Sequence, residues 1–468
     1  MEHEEEFREL TEKVLQLLEA KNFREIKTLL NDLKPQDSAL LLEEMPEKDM
    51  LVVFRLLSKE NAAETFVEMS NDSQELLLNA FSDAELKAVF DEMFLDDTVD
   101  VIEEMPANVV KRIIKQSDNE TRTLINEILH YPKDSAGTIM TVEYVSLRGQ
   151  MTVKECFDRI RKIAVDMETI STCYVTDDKR KLLGRVTVKD LLLHDYETHV
   201  ADFMETDPIC AETTEDKEFV AQQMSKYDLS TIPVVDGENR MVGIITVDDV
   251  LDVVEQEATE DISIMAAVTP STDTYMEQSI WQIWKNRIPW LLLLMISATF
   301  TGLIINSFEE RLNLLSPLLF ACIPMLMDTG GNAGSQASVT IIRGLALDEI
   351  RPRDALKVLW KEIRVSVMLA ACLAVVCFAK LYLLDGLAFG SLLGYGVYPW
   401  YICLAVSSSL FATIVIAKMV GCLMPLLAKV CKLDPAVVAS PFITTIVDAL
   451  SLIIFCVVSI LIVSPFAA

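Results

Sequence analysis

The sequence predicts a multi-domain membrane protein: an all-α superhelical N-terminal domain, a duplicated α/β pair, and a transmembrane domain of five helices, assembled as a dimer. Three observations predict it. The excess negative charge is confined to residues 1–270, five long apolar segments follow, and the acidic part holds two internal repeats, one helical and one mixed.

The chain has 468 residues, of which 51% are hydrophobic, and a formal net charge of −30. Residues 1–270 carry 59 Asp and Glu against 28 Lys and Arg, a net of −31, whereas residues 271–468 carry 12 against 13, a net of +1. This split excludes a single soluble domain and a disordered chain. It also argues against nucleic acid as a partner, because phosphate binding needs basic patches and the acidic half repels phosphate. An acidic surface attracts cations instead. The start, Met-Glu-His-Glu-Glu-Glu6, has neither the basic residues nor the apolar run of a signal peptide, which places the acidic half in the cytoplasm. Seven of the ten cysteines lie in the apolar half and none form CxxC pairs, so they read as small buried apolar residues.

Residues 1–135 show apolar residues at helical spacing. Glu-Met recurs at 44–45, 68–69, 92–93 and 104–105, and Glu-Glu-Met-Pro46 returns as Glu-Glu-Met-Pro106. Short helices stacked as a superhelical array fit this recurrence, with the repeat Met and Leu in the core.

A second repeat, of β-α-β-β-α type, occupies residues 136–199 and 200–250. Cys173-Tyr-Val-Thr-Asp-Asp-Lys-Arg-Lys-Leu-Leu-Gly184 leads into Thr187-Val-Lys-Asp190, and Ile232-Pro-Val-Val-Asp-Gly-Glu-Asn-Arg-Met-Val-Gly243 leads into Thr246-Val-Asp-Asp249. Gly184 and Gly243 are 59 residues apart, as are Thr187 and Thr246. The duplication resembles a tandem pair of CBS modules. Such a pair implies dimerisation and binding of adenine nucleotides or cations.

Residues 251–275 read as a connecting helix, ended by Thr269-Pro270, and a linker. Asp248, Asp249, Asp252, Glu255, Glu257, Glu260 and Asp261 crowd this helix. Like charges three and four residues apart repel unless cations intervene. Such a run is either a solvated acidic face or a cation site.

The remainder, 276–468, holds five apolar segments at about 288–307, 314–341, 363–384, 398–427 and 438–464. Each reaches the roughly 20 residues a membrane-spanning helix needs. The second and fourth are long, which predicts tilt or a break. Lys285, Arg287, the basic cluster from Arg343 to Arg364, and Lys418, Lys429 and Lys432 set one side as cytoplasmic. The N-terminus is then inside and the C-terminus outside.

Two places interrupt the apolar pattern. Pro324, Gly330, Gly331 and Gly334 loosen the second span and can free carbonyls, with Asp328, Thr329, Asn332 and Gln336 as further oxygen ligands. The same small residues also permit close helix packing; Gly, Asn and Asp together favour an ion pathway. In the fifth span, Asp448 stands with Thr444 one turn before it. A lone carboxylate at the bilayer centre costs at least about 2.5–3.5 kcal/mol, so it faces a cavity or a partner such as Arg343. No histidine lies in a span, and an all-oxygen donor set suits Mg²⁺, Ca²⁺ or Mn²⁺. Five spans make a thin wall for a pore, and a symmetric dimer doubles them.

These residues resemble the MgtE-type magnesium channel/transporter family over nearly the whole chain. The most specific matches are Thr246-Val-Asp-Asp-Val-Leu-Asp-Val253, Glu257-Ala-Thr-Glu-Asp261, Thr329-Gly-Gly-Asn-Ala-Gly-Ser-Gln336, and Asp434-Pro-Ala-Val-Val-Ala-Ser-Pro441 followed by Asp448. The resemblance implies a homodimer in the plasma membrane, in contact with lipid, with its pore between subunits and lined by the second and fifth spans. It implies transport of Mg²⁺ past Asp448, with Thr444 one turn before it; Asn332, Gly330, Gly331 and Asp328 are the further pathway candidates, and Asp328 stands where the family can carry Gly, which leaves its role open. Asp249, Asp252, Glu257, Glu260 and Asp261 match acids of the connecting ("plug") helix that bind regulatory Mg²⁺. Asp216, Glu218 and Asp228 match acids of the CBS pair, and Asp96, Asp97 and Asp100 are looser candidates in the N-terminal domain. For ATP, Asp190 fits a ribose contact, but Thr172 and Leu229 stand where the family stacks the base on aromatic rings. The expected mechanism is closure by cytosolic Mg²⁺ bridging these acids. A coupled carrier for Co²⁺ or Mn²⁺ and a non-transporting cation sensor are the alternatives. The chain carries no P-loop and no nucleophile–base signature, so no enzyme is expected.

Overall fold

The computed structural model describes residues 2–271, 275–276, 278–347, 349–389, 399–438 and 440–466. Residues 272–274 of the expected linker, the stretch 390–398 before the fourth expected span, and residue 439 lie outside them. The contacts divide the chain into two units, Met1–Glu255 and Gln256–Ala468.

The first unit opens with short helices: α1 (Glu2–Glu19), α2 (Phe23–Asp32), α3 (Pro35–Glu43), α4 (Glu47–Phe54), α5 (Lys59–Val67), α6 (Asn71–Ala80), α7 (Asp83–Phe90), α8 (Leu95–Glu104), α9 (Ala107–Gln116) and α10 (Asn119–Ile128). The Glu-Met repeat marks helix ends: it follows α3, α5 and α7 and closes α8. Met45, Met69 and Met105 are buried there. Pro46 and Pro106 cap the helices that follow, where a missing N–H costs nothing. Helix α3 packs on α5, α5 on α7 and α7 on α9, the stacking of a superhelical array. Phe54, Phe66, Phe81 and Phe90 form its aromatic spine, with ring centroids 5.5–6.4 Å apart.

Two small sheets follow. The first has the order β1 (Tyr144–Leu147), β2 (Thr169–Thr176), β3 (Leu182–Thr187) and β4 (Glu205–Thr206), with α11 (Val153–Ile163) and α12 (Val188–Leu193) between strands. The second has the order β5 (Ala211–Glu212), β6 (Thr231–Val235) and β7 (Met241–Thr246), with α13 (Lys217–Tyr227) before β6. The duplication is visible in the register. Thr172 pairs with Thr187 in one module and Thr231 with Thr246 in the other. Gly184 and Gly243 let an edge segment close in: a Cβ at either would stand 2.6 Å from the Glu205 carbonyl or 2.5 Å from that of Thr141. The turns after β2 and β6 are both tied by an aspartate. Asp177 accepts from the amides of Lys179 and Lys181 (2.7 and 2.9 Å), and Asp236 from those of Glu238 and Arg240 (2.9 and 2.8 Å). The two turns also bond each other, through Leu182 N–H to Asn239 O and Met241 N–H to Arg180 O.

Helix α14 (Val247–Met265) leaves the second module. It stops before the expected Thr269-Pro270, because Ala267 turns left-handed (φ 55°) and the Val268 amide returns to the Ser263 carbonyl.

The second unit holds α15 (Ile280–Leu315), α16 (Leu318–Ala346), α17 (Ala355–Ala379), α18 (Trp400–Val430) and α19 (Ser440–Val463), and α17 continues as a π-helix over Lys380–Phe389. Four stretches, Ile280–Leu315, Pro352–Asp385, Trp400–Val430 and Pro441–Phe466, are long and apolar enough to cross a membrane. Helix α16 has the length, at 29 residues, but its Asp, Thr, Gly and Asn lower its apolarity. No break interrupts α16 or α18; the prolines at 324 and 425 lie inside continuous helices.

Candidate functional site

Helix α16 stays helical through its glycines because those glycines are notches for its neighbours. A Cβ at Gly330 would lie 2.8 Å from both Thr413 Cγ2 of α18 and Ser451 Oγ of α19. A Cβ at Gly421 of α18 would lie 2.1 Å from the Gly334 carbonyl, so α16 and α18 touch backbone to backbone. The expected release of carbonyls at Gly330–Asn332 is therefore not seen. Close packing holds the ladder intact.

Gly331 faces elsewhere. Its Cβ position is 3.1 Å from Thr444 Cγ2 and 3.8 Å from Asp448 Oδ1. The structure thus brings Gly331, Thr444 and Asp448 together, with Asp448 half-buried. Thr444 and Thr445 donate their hydroxyl protons to the Pro441 carbonyl at 2.9 and 3.0 Å. Their oxygen lone pairs remain for a ligand. Asp328, Asn332 and Gln336 lie four residues apart and are all exposed on one row of α16. Asp328 is close enough for its charge to act on Asp448. Arg343 is no partner of that acid, since it lies twelve residues beyond Gly331 on α16, about 18 Å along the axis. Lys418, expected among the surface charges, is buried and donates to Glu362 Oε1 of α17 at 3.0 Å, the two side chains being 7% and 18% exposed.

The N-terminal unit builds a second acidic locus from three elements. Asp96 and Asp97 open α8, Asp248 and Asp249 open α14, and Glu143 and Glu168 flank the parallel pair β1–β2, where the Glu168 amide bonds the Glu143 carbonyl at 3.0 Å. Asp249 is fixed as a helix cap: the Thr246 hydroxyl and amide donate to its Oδ2 at 2.6 and 3.3 Å. Its counterpart Asp190 caps α12 in the same way, accepting from the Thr187 hydroxyl and amide at 2.6 and 3.0 Å. Asp96 is 8% exposed and accepts from the Asp97 amide at 3.0 Å.

These acids raise one another's proton affinity. Burial, then the charges of Asp249, Glu68, Asp248 and Glu143, pushes Asp97 up to about 7. Burial, then Asp248, Asp249, Asp97 and Glu143, does the same to Glu168, also to about 7. Asp96 is driven well up by burial and by Asp97, Asp249 and Glu168. Burial outweighs the Thr246 bond and raises Asp249, and burial with Glu255, Glu68 and Asp248 raises Asp252. Among the described residues no three acids converge in metal-ligating geometry.

The remaining predicted acids are distributed more widely. Asp100 is exposed on α8. Asp216 caps α13 and accepts from the Glu218 amide at 2.9 Å, and Asp228 ends that helix in the left-handed conformation (φ 51°). Twelve positions separate Asp216 from Asp228, about 18 Å, so the two cannot share an ion within one chain. Glu257, Glu260 and Asp261 lie on the last turns of α14, in the second unit. Sequence reasoning missed Glu68, Glu143 and Glu168. Glu68 belongs to the Glu-Met repeat and was findable there; the other two are lone acids at strand ends.

Three family models cover the chain in order: the MgtE intracellular N domain over residues 33–134, the CBS domain over 136–197 and 200–256, and the divalent cation transporter MgtE over 323–458. A magnesium transporter MgtE of Thermus thermophilus is 35% identical over 436 residues, covering 92% of this chain and 94% of that one. A magnesium transporter MgtE of Bacillus subtilis is 31% identical over 447 residues, 96% of both chains. A crystal structure of the cytosolic domain of the Mg²⁺ channel MgtE in complex with ATP matches 52% of this chain and 99% of its own, at 36% identity and a TM-score of 0.50. With its helical N domain, CBS pair and glycine-notched membrane helices, the chain belongs to the MgtE family.

Proposed function

We propose that two copies of this chain form a pore that carries Mg²⁺ past Asp448 and that Mg²⁺ on the N-terminal unit closes it. Mg²⁺ transport follows from membership of the family. One observation carries the pore. Asp328, Asn332 and Gln336 are exposed along one row of α16, within a unit whose other long helices are apolar enough to span a membrane. Such a row cannot face lipid, where unsatisfied polar groups cost several kcal/mol each. A second copy placed against it encloses a polar path with two Asp448 carboxylates. On this reading α16, second in order, completes a set of five spans, the N-terminus is cytoplasmic and the C-terminus is outside. Oxygen ligands and a wide, partly hydrated path suit an ion that dehydrates reluctantly.

Proteoliposome uptake tests the pore. Wild-type flux with at least about tenfold loss in a folded Asp448→Ala dimer supports it; equal flux removes Asp448 from the path.

For the gate, the support is the mutual repulsion of Asp96, Asp97, Glu143, Glu168, Asp248 and Asp249. A divalent cation that bridges them relieves it and ties α8 to the start of α14, a ligand-biased two-state element. Asp252, Glu257, Glu260 and Asp261 extend the acidic face along α14, and Asp100, Asp216, Glu218 and Asp228 are outlying sites for further ions. Protease resistance of the N-terminal unit that does not change from zero to millimolar Mg²⁺ would sink this gate.

A nucleotide in the CBS pair is a second reading, favoured by the ATP in the similar cytosolic-domain structure. Here Thr172 is buried in β2, Leu229 packs against the core, and Asp190 Oδ2 already caps α12, so any base is held without those aromatic rings. Equilibrium dialysis with ATP decides it.

A further inference from the structure

One outward face of α17 is basic and aromatic. Arg353, just before the helix, and Lys357, Trp360, Lys361 and Arg364 recur at three- and four-residue spacing and are all exposed, Trp360 at 61%. The Arg364 guanidinium lies over the Trp360 ring, 5.9 Å from its centroid. Glu362, the acid in the middle of this run, would cancel part of the charge, but it turns inward and is held by buried Lys418. Asp354 reaches Lys357 only at 3.8 Å. Among the described residues no acid pairs with Lys361 or Arg364.

The same face turns apolar in one step. From Val365 the helix is uncharged up to Lys380, about 22 Å of axis, and Met368 and Val375 on this side are 74% and 70% exposed. In a membrane-spanning helix that apolar surface is covered by acyl chains. Trp360, Lys361 and Arg364 then stand at headgroup level, where an indole prefers to sit and where long basic side chains reach for phosphate.

We propose that this face of α17 is a binding site for an anionic phospholipid, whose headgroup phosphate meets Lys361 and Arg364 against the Trp360 ring while its chains cover Met368 and Val375. Charge complementarity selects the anionic lipid: with Glu362 drawn inward by Lys418, Lys361 and Arg364 face outward with no acid paired to them among the described residues.

Native mass spectrometry of the purified full-length chain, titrated with phosphatidylglycerol or phosphatidylcholine, tests it. The wild type is expected to retain phosphatidylglycerol at least about tenfold more strongly, each basic residue near an anionic surface counting for roughly fivefold. K361Q/R364Q is expected to lose most of that preference while keeping wild-type elution and melting temperature, since both side chains are exposed. Equal retention of the two lipids by the wild type overturns the proposal, as does an undiminished preference in the variant. Displacement of the lipid by millimolar inorganic phosphate would make this a free-anion site. Cross-linking of Lys361→Cys between two copies would show that a second chain covers the face. Either result also overturns the lipid site.

Discussion

The two units treat negative charge in opposite ways. In the N-terminal unit, burial first, and then the charges of acids on α8, α14 and the β1–β2 edge, push Asp97 and Glu168 up to about 7. In the membrane unit, the approach of helices is managed by glycine, and the acids near the Gly331 notch are Asp328 and Asp448. The first arrangement holds like charges close, a repulsion that a bridging cation would relieve. The second tolerates no slack, because its helices meet at backbone distance. On the proposed reading, the gate lies where structure is easy to loosen and the path where it is not.

The comparison breaks most sharply at Gly421. Gly421→Ala places a methyl 2.1 Å from the Gly334 carbonyl, backbone that cannot swing aside. The expected loss is at the upper end of overpacking costs, about 3 kcal/mol or more, read as aggregation or a collapsed melting temperature in detergent. Next comes Asp448→Ala: the fold survives and Mg²⁺ flux falls at least about tenfold, measured in proteoliposomes. Loss of fold here would show that Asp448 is structural.

The acidic locus sharpens the other side. Asp97→Asn removes a carboxylate raised by burial and then by its neighbours, so the Mg²⁺-free N-terminal unit becomes more stable, by about 1.4 kcal/mol for each pKa unit of strain relieved. Its response to Mg²⁺ shrinks in the same experiment, limited proteolysis with and without the ion. A pH series gives the sign independently. Asp97 and Glu168 have folded values near 7 and ordinary carboxylate values when unfolded, so the folded state binds more protons between about 4 and 7. Stability without Mg²⁺ therefore falls as pH rises through that window and is lowest above 7. Millimolar Mg²⁺ is expected to flatten the slope. Smallest is Ser82→Ala, which removes the capping box at α7 and lowers the N-terminal unit's stability by about 1 kcal/mol, whatever the Mg²⁺ level.

Much of the architecture was legible because repetition leaves a trace in the letters. Met45, Met69 and Met105 announced a helical repeat with its methionines in the core, and Gly184 with Gly243 and Thr187 with Thr246 announced one module copied. What was illegible depends on a neighbour distant in sequence. Gly330 and Gly334 read either as a loosened helix or as a close-packing surface, and it takes Thr413, Ser451 and Gly421 to decide for packing. Lys418 read as a surface cation until Glu362, 56 residues away, received it. Glu143 and Glu168 carry no local pattern; their meaning comes from facing Asp97 and Asp249.

The meeting of Gly334 and Gly421 also constrains the gene. Every single-base missense change in a glycine codon introduces at least a Cβ, and at Gly421 even that atom has nowhere to go. No neutral one-step neighbour exists for selection to wander through. A lineage reaches a different residue there only after some other change has already moved α16 away from α18. Drift in this membrane unit is thus a matter of order as well as of rate, with the helix spacing changing first and the letter at 421 second.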